Sequence, residues 1–386
     1  MKLNFFSPGF LICMLLILSS GMAFSQVTVG CPGGTPGAFT SLNSAIASSP
    51  DNSSFLVSGT CNENVGIQNR NNLQFFGNPT ATIQSPDPSL DVLDVIESKT
   101  ILFVTGFTFT GGQGVLISHS NNVLLQGITA KNSGTFGITS SRSDVNMNQS
   151  TITANTRTGL VIAGGTFSIN GAVSINNNGR LGISASAAHL SMDDGFGPNL
   201  ITHNGLSGIQ IFGTSQGDFS GDNEITSNNT TNAAGQFGLL AQSNSGITLD
   251  GGSISNNSGI GVVCDVHSEC TLGDVQINGN TGGGVQITEH SAGVFGNATI
   301  STNTGTGVLV EQGSTLTTGG DTIANNTGDG LILNTLSALK FLSNDVMTAS
   351  PGNLTLNCNN GSIVDGDVTI YKPKKCGAQF QVSPIH

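Results

Sequence analysis

The stretch NGNTGGGVQI, residues 278–287, places an Asn four positions ahead of a Gly and follows that Gly with an apolar, polar, apolar triplet. The shape recurs: NNSGIGVVC (256–264) stands before it, and TNTGTGVLV (302–310) and NNTGDGLIL (325–333) follow it. With the Gly before each triplet as origin, the positions are Gly114, Gly137, Gly159, Gly182, Gly208, Gly238, Gly261, Gly284, Gly307 and Gly330, at intervals of 23, 22, 23, 26, 30, 23, 23, 23 and 23 residues. A period in the low twenties indicates a solenoid. Leucine-rich repeats need several spaced Leu per unit, which ISTNTGTGVLVEQGSTLTTGGDT (300–322) lacks. Each unit therefore reads as one turn of a parallel β-helix, in an all-β chain of about ten or more coils with three short strands per coil.

Three apolar columns support this reading. Pairs two apart just after the Gly point the same way in a strand: Leu160 and Ile162, Ile209 and Ile211, Val285 and Ile287, Val308 and Val310, Leu331 and Leu333. Seven places before the Gly stand Ile152, Ile175, Ile201, Ile254, Ile277, Ile300 and Ile323. Near nine places after it come Phe167, Leu190, Ile247, Val294, Leu316 and Leu339. The turn ahead of each Gly must reverse the chain in about four residues, which favours Gly and Asn because both tolerate positive φ. Asn155, Asn178, Asn204, Asn257, Asn280, Asn303 and Asn326 sit there, and stacked amides can hydrogen-bond along the axis as a ladder.

The composition agrees with an all-β repeat. Of 386 residues 54 are Gly and only 9% are charged, with 23 acidic against 11 basic residues for a net charge of −12. Such a balance offers no electrostatic grip on a phosphate backbone, so nucleic acid is excluded as a partner. Residues 1–25 read as a secretory signal peptide: Lys2, the apolar run LICMLLIL (11–18), then small residues ending at Ser25. No later stretch approaches the roughly 20 apolar residues of a membrane span. A secreted, extracellular or cell-surface location is expected. Removal of Cys13 with the leader leaves Cys31, Cys61, Cys264, Cys270, Cys358 and Cys376, an even number that favours disulfides in an exported chain. Proximity suggests Cys31 with Cys61, Cys264 with Cys270 and Cys358 with Cys376, one of fifteen connectivities.

Over roughly residues 30–345 the chain resembles the pectin-lyase-like superfamily of right-handed parallel β-helix proteins. The resemblance rests on the coil repeat and on the entry segment, GAFTSLNSAIASS (37–49) followed by FLVSGTCNENVGI (55–67). It implies a short capping helix, a first strand, and a Gly-Thr-Tyr-x-Glu-like turn, here Gly59, Thr60, Cys61, Asn62 and Glu63. Cys61 replaces the usual aromatic and would staple the cap through Cys31. Handedness follows from the resemblance and from the general preference for right-handed crossovers. The expected organisation is a signal peptide (1–25), an N-terminal cap and first coil (26–68), β-helix repeats (69–345) and a C-terminal cap (346–386).

Enzymes of the superfamily carry their sites on the outer face of one sheet, so ionisable residues at one-coil spacing outside the core columns are the candidates. His267 and His290 both lie six places past their Gly, and Asp265, Glu289 and Glu311 fall within one position of one another in phase. Stacked, the five would form a patch about two rungs, or roughly 10 Å, high. Carboxylates and imidazoles so grouped could bind a cation or a glycan, or act in acid-base chemistry. Glu269 falls later in phase. A second acidic zone, Asp193, Asp194, Asp218 and Asp222, lies in the two coils whose intervals stretch to 26 and 30, where extra residues should leave as loops. Oxygen-rich clusters suit calcium, although no EF-hand spacing is present. Arg157 with Arg180, and His119 with Arg142, are further one-coil pairs.

The catalytic signatures of the family's polygalacturonases, pectin methylesterases and pectate lyases are absent. Trp is absent too, and the single Tyr, Tyr371, lies outside the repeats, so the aromatic platforms on which sugars stack are missing. The expectation is a non-catalytic, structural or glycan-contacting protein with no required cofactor. The alternatives are a polysaccharide lyase or glycoside hydrolase acting on acidic polysaccharide, and an adhesin.

Overall fold

The computed structural model describes residues 25–342 and 345–365 and the backbone of 374 and 375. Residues 1–24, Tyr371 and Cys376 lie outside the described residues, and with them the leader and the third disulfide partner. The chain is an all-β parallel solenoid of about 13 turns with one short helix. One coil illustrates the rest. Ser253–Ser255 lies on the first face, Ile260–Asp265 on the second, Glu269–Gly273 on the third, and Gln276–Asn278 returns to the first one rung along. Each strand pairs in parallel with its counterpart: Ile254 with Ile277, Val262 with Val285, Cys270 with Gly293.

Period-two alternation turns one side of every strand into the bore. The Ile column is continuous and gains Ile225, with no member more than 2% exposed. Near the N-terminal end Phe55, Phe75 and Phe103 stack with ring centroids 4.8 and 4.7 Å apart. The third column differs from expectation at one rung. Val294 is 49% exposed, because the register sets it beside Thr271 and Thr317 on the outer side; Gly293 and Phe295 face in.

The Asn column forms a continuous hydrogen-bonded ladder. Each Asn Nδ2 donates to the Oδ1 of the next, from Asn155 through Asn178, Asn204, Asn228, Asn257, Asn280 and Asn303 to Asn326, at 2.9–3.1 Å. Asn228 is a member that counting back from Gly238 misses, since residues 229–236 are inserted between them. The reason for Gly and Asn here also needs correcting. Neither the ladder Asn residues nor the Gly origins from Gly137 onward have positive φ; the left-handed position is the residue before the Asn, such as Asn177, Asn256 and Asn325. The Gly is required by close approach instead. A Cβ on Gly261 would lie 2.6 Å from Ile277 Cγ2 and 2.8 Å from the Asn280 amide nitrogen of the next rung.

The bore is closed at its start by helix α1 (Leu42–Ser48), which buries Leu42, Ala45 and Ile46. Glu63 receives its N-terminus: Oε1 accepts from Leu42 N–H at 2.6 Å, and Oε2 from Ser41 Oγ at 2.8 Å and Asn43 N–H at 3.2 Å. Arg70 takes the other end through the carbonyls of Ile46 and Ser49, both at 2.6 Å, and its bond to Asp51 holds that carboxyl below the ordinary range. Cys31 and Cys61 are joined across this cap, as are Cys264 and Cys270 farther along. Cys358 is also disulfide-bonded. Rungs continue past residue 345: Met347 pairs with Ile323, Leu356 with Leu331 and Ile363 with Ala338.

Candidate functional site

The corner between the second and third faces carries the histidines. After Cys264 the chain turns through two left-handed residues, Val266 (φ 50°) and His267 (φ 58°), and one rung on through Glu289 (φ 51°) and His290 (φ 61°). Beneath them a serine ladder fixes the backbone. The N–H of Ser245 donates to Ser268 Oγ at 3.2 Å, that of Ser268 to Ser291 Oγ at 3.0 Å, and that of Ser291 to Ser314 Oγ at 3.1 Å. The disulfide between Cys264 and Cys270 spans the same corner. His267 N–H donates to Glu289 O at 2.9 Å and His290 N–H to Gln312 O at 3.1 Å, so equivalent positions superpose from rung to rung. The two imidazoles accordingly stack, with centroids 5.5 Å apart and planes within 10°.

Of the five described histidines, these two are the ones in which neither ring nitrogen has a hydrogen-bond partner. His119 meets Ser118 and Arg142, His189 meets Asp218, and His203 meets Thr202. Thr214, Gln216, Asn244, His267, Glu269 and His290 line one open groove of about 410 Å³ along this corner. Glu269, set apart in the repeat phase, thus lines the same groove as the pair. Asp265 and Glu311 lie instead on the second face, two rungs apart, and each is engaged: Gln242 Nε2 donates to Asp265 at 3.0 Å and Gln286 Nε2 to Glu311 at 2.9 Å. Glu289 is exposed in the turn between them.

The second acidic zone is dispersed. Asp218 stands on a strand (Gln216–Ser220) rather than in a loop, and forms an ion pair with His189 at 2.8 Å. Asp193 accepts from Gly195 N–H at 2.9 Å and Asp194 from Asp222 N–H at 3.2 Å, so both carboxylates shape the corner at 193–198. The larger insertion, residues 229–236, carries no acid. Among the described residues, the group of potential ligand atoms converging within 4.8 Å is Cys31, Cys61 and Glu63, and its two sulfurs form a disulfide. Arg157 and Arg180 are adjacent through a backbone bond of 3.0 Å.

Three acidic residues were missed from sequence. Asp91 and Asp94 sit half-buried beside the second-face strand Leu93–Ile96. Burial, reinforced by the neighbouring Asp94, pushes Asp91 up to about 6, and burial raises Asp94 as well. Asp94 Oδ1 has no hydrogen-bond partner. Asp321, wholly buried at the third corner, is likewise pushed up to about 6 by burial, against the lowering effect of the backbone N–H groups of Gly319 and Ala298. The clue was the short spacing of Asp91 and Asp94 within one coil rather than between coils.

Residues 186–346 match the family described as right handed beta helix region. No curated protein matches the chain. Among solved structures it is similar to the A-module of mannuronan C-5 epimerase AlgE4 from Azotobacter vinelandii, with 13% identity over 87% of this chain and 94% of that one and a TM-score of 0.57. The A-module of mannuronan C-5 epimerase AlgE6 from the same organism gives 13% identity over 84% and 93%, with a TM-score of 0.47. A pectate lyase, Pel9A, gives 13% over 86% and 80%, at 0.41. At such identity the AlgE4 likeness speaks for the fold alone. Within the described residues no helix is long and apolar enough to cross a membrane, and the disulfides suggest an oxidising compartment. Residues 186–346 carry the match to the right handed beta helix region, the same three-faced coil runs on to either side of them, and the chain as a whole is therefore a parallel β-solenoid.

Proposed function

We propose that this β-helix is an exported protein that contacts a polysaccharide through the groove at the corner between its second and third faces. The observation that carries the reading is the groove itself, in which Thr214, Gln216, Asn244, His267 and Glu269 from three successive rungs present polar groups along one line. Side chains repeated about every 4.8 Å suit a ligand that is itself a repeating chain. Lacking Trp, the groove grips through hydrogen bonds, and individually weak contacts add along the polymer. A polymer bridging several rungs would engage all five residues together.

The reading is non-catalytic because Asp265 and Glu311, two of the three carboxylates phased close to the His pair, are each tied to a glutamine of a neighbouring rung on the same face. A glycan array with the purified protein tests binding. Incubation with acidic polysaccharides, with and without calcium, tests turnover. Retention on at least one polysaccharide, lost in Gln216→Ala with Asn244→Ala, is expected. An unsaturated product or new reducing ends would replace this reading with that of a lyase or hydrolase.

A further inference from the structure

We propose that the groove selects an uncharged, hydroxyl-bearing polysaccharide over an acidic one, and that Asp218 is the positioning residue that sets this preference, by fixing which end of the Gln216 amide the ligand meets. The inference rests on the glycan reading and narrows it. Gln216 Nε2 donates to Asp218 Oδ1 at 3.0 Å, while Asp218 Oδ2 lies 2.8 Å from His189 Nε2. A carboxylate only accepts, so the amide nitrogen of Gln216 must face it and the amide oxygen turns the other way. That oxygen lies over Gly246, the register partner one rung on, where a Cβ would stand 2.5 Å from it. The bare glycine gives the oxygen its place in the groove.

The other lining groups tip the same way. Thr214 Oγ1 donates its hydrogen to Gly213 O at 2.6 Å and keeps only lone pairs for a ligand. Glu269, the register partner of Gly246 on the next rung, lines the groove with no hydrogen-bond or ion-pair partner among the described residues. Asn244 and, as neutral imidazoles, His267 and His290 can each donate and accept. No Lys or Arg lines the groove. Gln216, Thr214 and Glu269 therefore offer acceptors alone, and nothing in the lining offers donors alone. Sugar hydroxyls donate as well as accept, so they suit every one of these groups. A uronate carboxylate or a sulfate only accepts: it would leave those three facing another acceptor and would meet like charge at Glu269, which is discrimination by unpaired groups.

Affinity electrophoresis of the disulfide-intact chain tests the assignment, in gels carrying a neutral β-glucan or mannan and in gels carrying polygalacturonate or alginate, at pH 8 to keep imidazole neutral. Retention by at least one neutral polymer is expected, roughly tenfold or more stronger than by either acidic one. In Asp218→Asn the new amide can present either atom to Gln216, so Gln216 is free to turn its nitrogen to the ligand. The preference should then narrow through a gain on the acidic polymers, which damage to the fold would not produce. Gly246→Ala should crowd the Gln216 oxygen and weaken retention by the neutral polymer, and Gln276→Ala on the first face should change neither arm. Equal or stronger retention by an acidic polymer overturns the inference and leaves the glycan reading standing, whereas no retention by any polymer removes both. An unaltered preference in Asp218→Asn at an unaltered melting temperature overturns the role given to Asp218.

Discussion

Replacing Asn280 by Ala tests whether the amide column holds the rungs together. Asn280 is fully buried; its Oδ1 accepts from both Asn257 N–H and Asn257 Nδ2 at 3.0 Å, and its Nδ2 donates to Asn303 Oδ1 and to Ile254 O at 3.0 Å. Truncation leaves the Asn257 N–H and one of its two Nδ2 hydrogens without an acceptor, the other amide hydrogen staying on Ile225 O at 3.0 Å. At about 1–3 kcal/mol for each orphaned buried group, the expected loss is roughly 2–6 kcal/mol. Stability in a solenoid is a sum of rung terms and nearest-neighbour interfaces, so the loss should be local. Native-state hydrogen exchange should accelerate at Asn257 and the adjoining rungs, while the Phe-stacked N-terminal coils are unchanged. A urea titration supplies the global figure. Gln276→Ala, an exposed change on the neighbouring strand, should stay within about 0.5 kcal/mol. If Asn280→Ala is equally silent in both measurements, the ladder is ornamental to stability and the reasoning fails.

Three further outcomes are expected. Ser140 occupies the inward column between Ile117 and Ile162, fully buried with Oγ unpartnered, so Ser140→Ala should raise the urea midpoint by the equivalent of about 1 kcal/mol; a lowered midpoint would mean the hydroxyl has a partner. Asp321 is raised from 3.8 to about 6 in the folded chain, so the native state binds more protons between those values, and its contribution to stability falls as pH rises through that window. Asp321→Asn should therefore make the decline in urea midpoint between pH 4 and 7 shallower, and an unchanged slope would exclude the buried acid as its source. Glu63→Ala removes three bonds from the start of α1 and should open the cap to proteolysis within residues 37–52 while the coil body resists; cleavage no faster than in the unsubstituted chain would show that Arg70 and the disulfide suffice.

Periodicity made the coil legible because the same physical constraint repeats at every rung, and it failed where that constraint is local. The offset that found seven ladder Asn residues missed Asn228, because residues 229–236 separate it from its Gly without disturbing the stack. The same counting turned Val294 inward, although only register distinguishes it from Phe295 next door. Serine, common along the whole chain, concealed a second ladder at Ser245, Ser268, Ser291 and Ser314 that spacing alone could have revealed.

The site shows the same division. A spacing of 23 places His267 against His290, since equal phase means vertical contact, but a spacing of 46 between Asp265 and Glu311 leaves a rung between them. Phase also says nothing of which groups are already satisfied. Gln242 and Gln286 occupy the two carboxylates that the repeat had ranked beside the histidines, while Glu269, ranked behind them, faces the groove unengaged. Chemistry at a solenoid surface therefore depends on the complement left after neighbouring rungs have bonded to each other. By that criterion Asp265 and Glu311 drop out of the five-residue column, and the two imidazoles and Glu269 are the unengaged groups that line the groove.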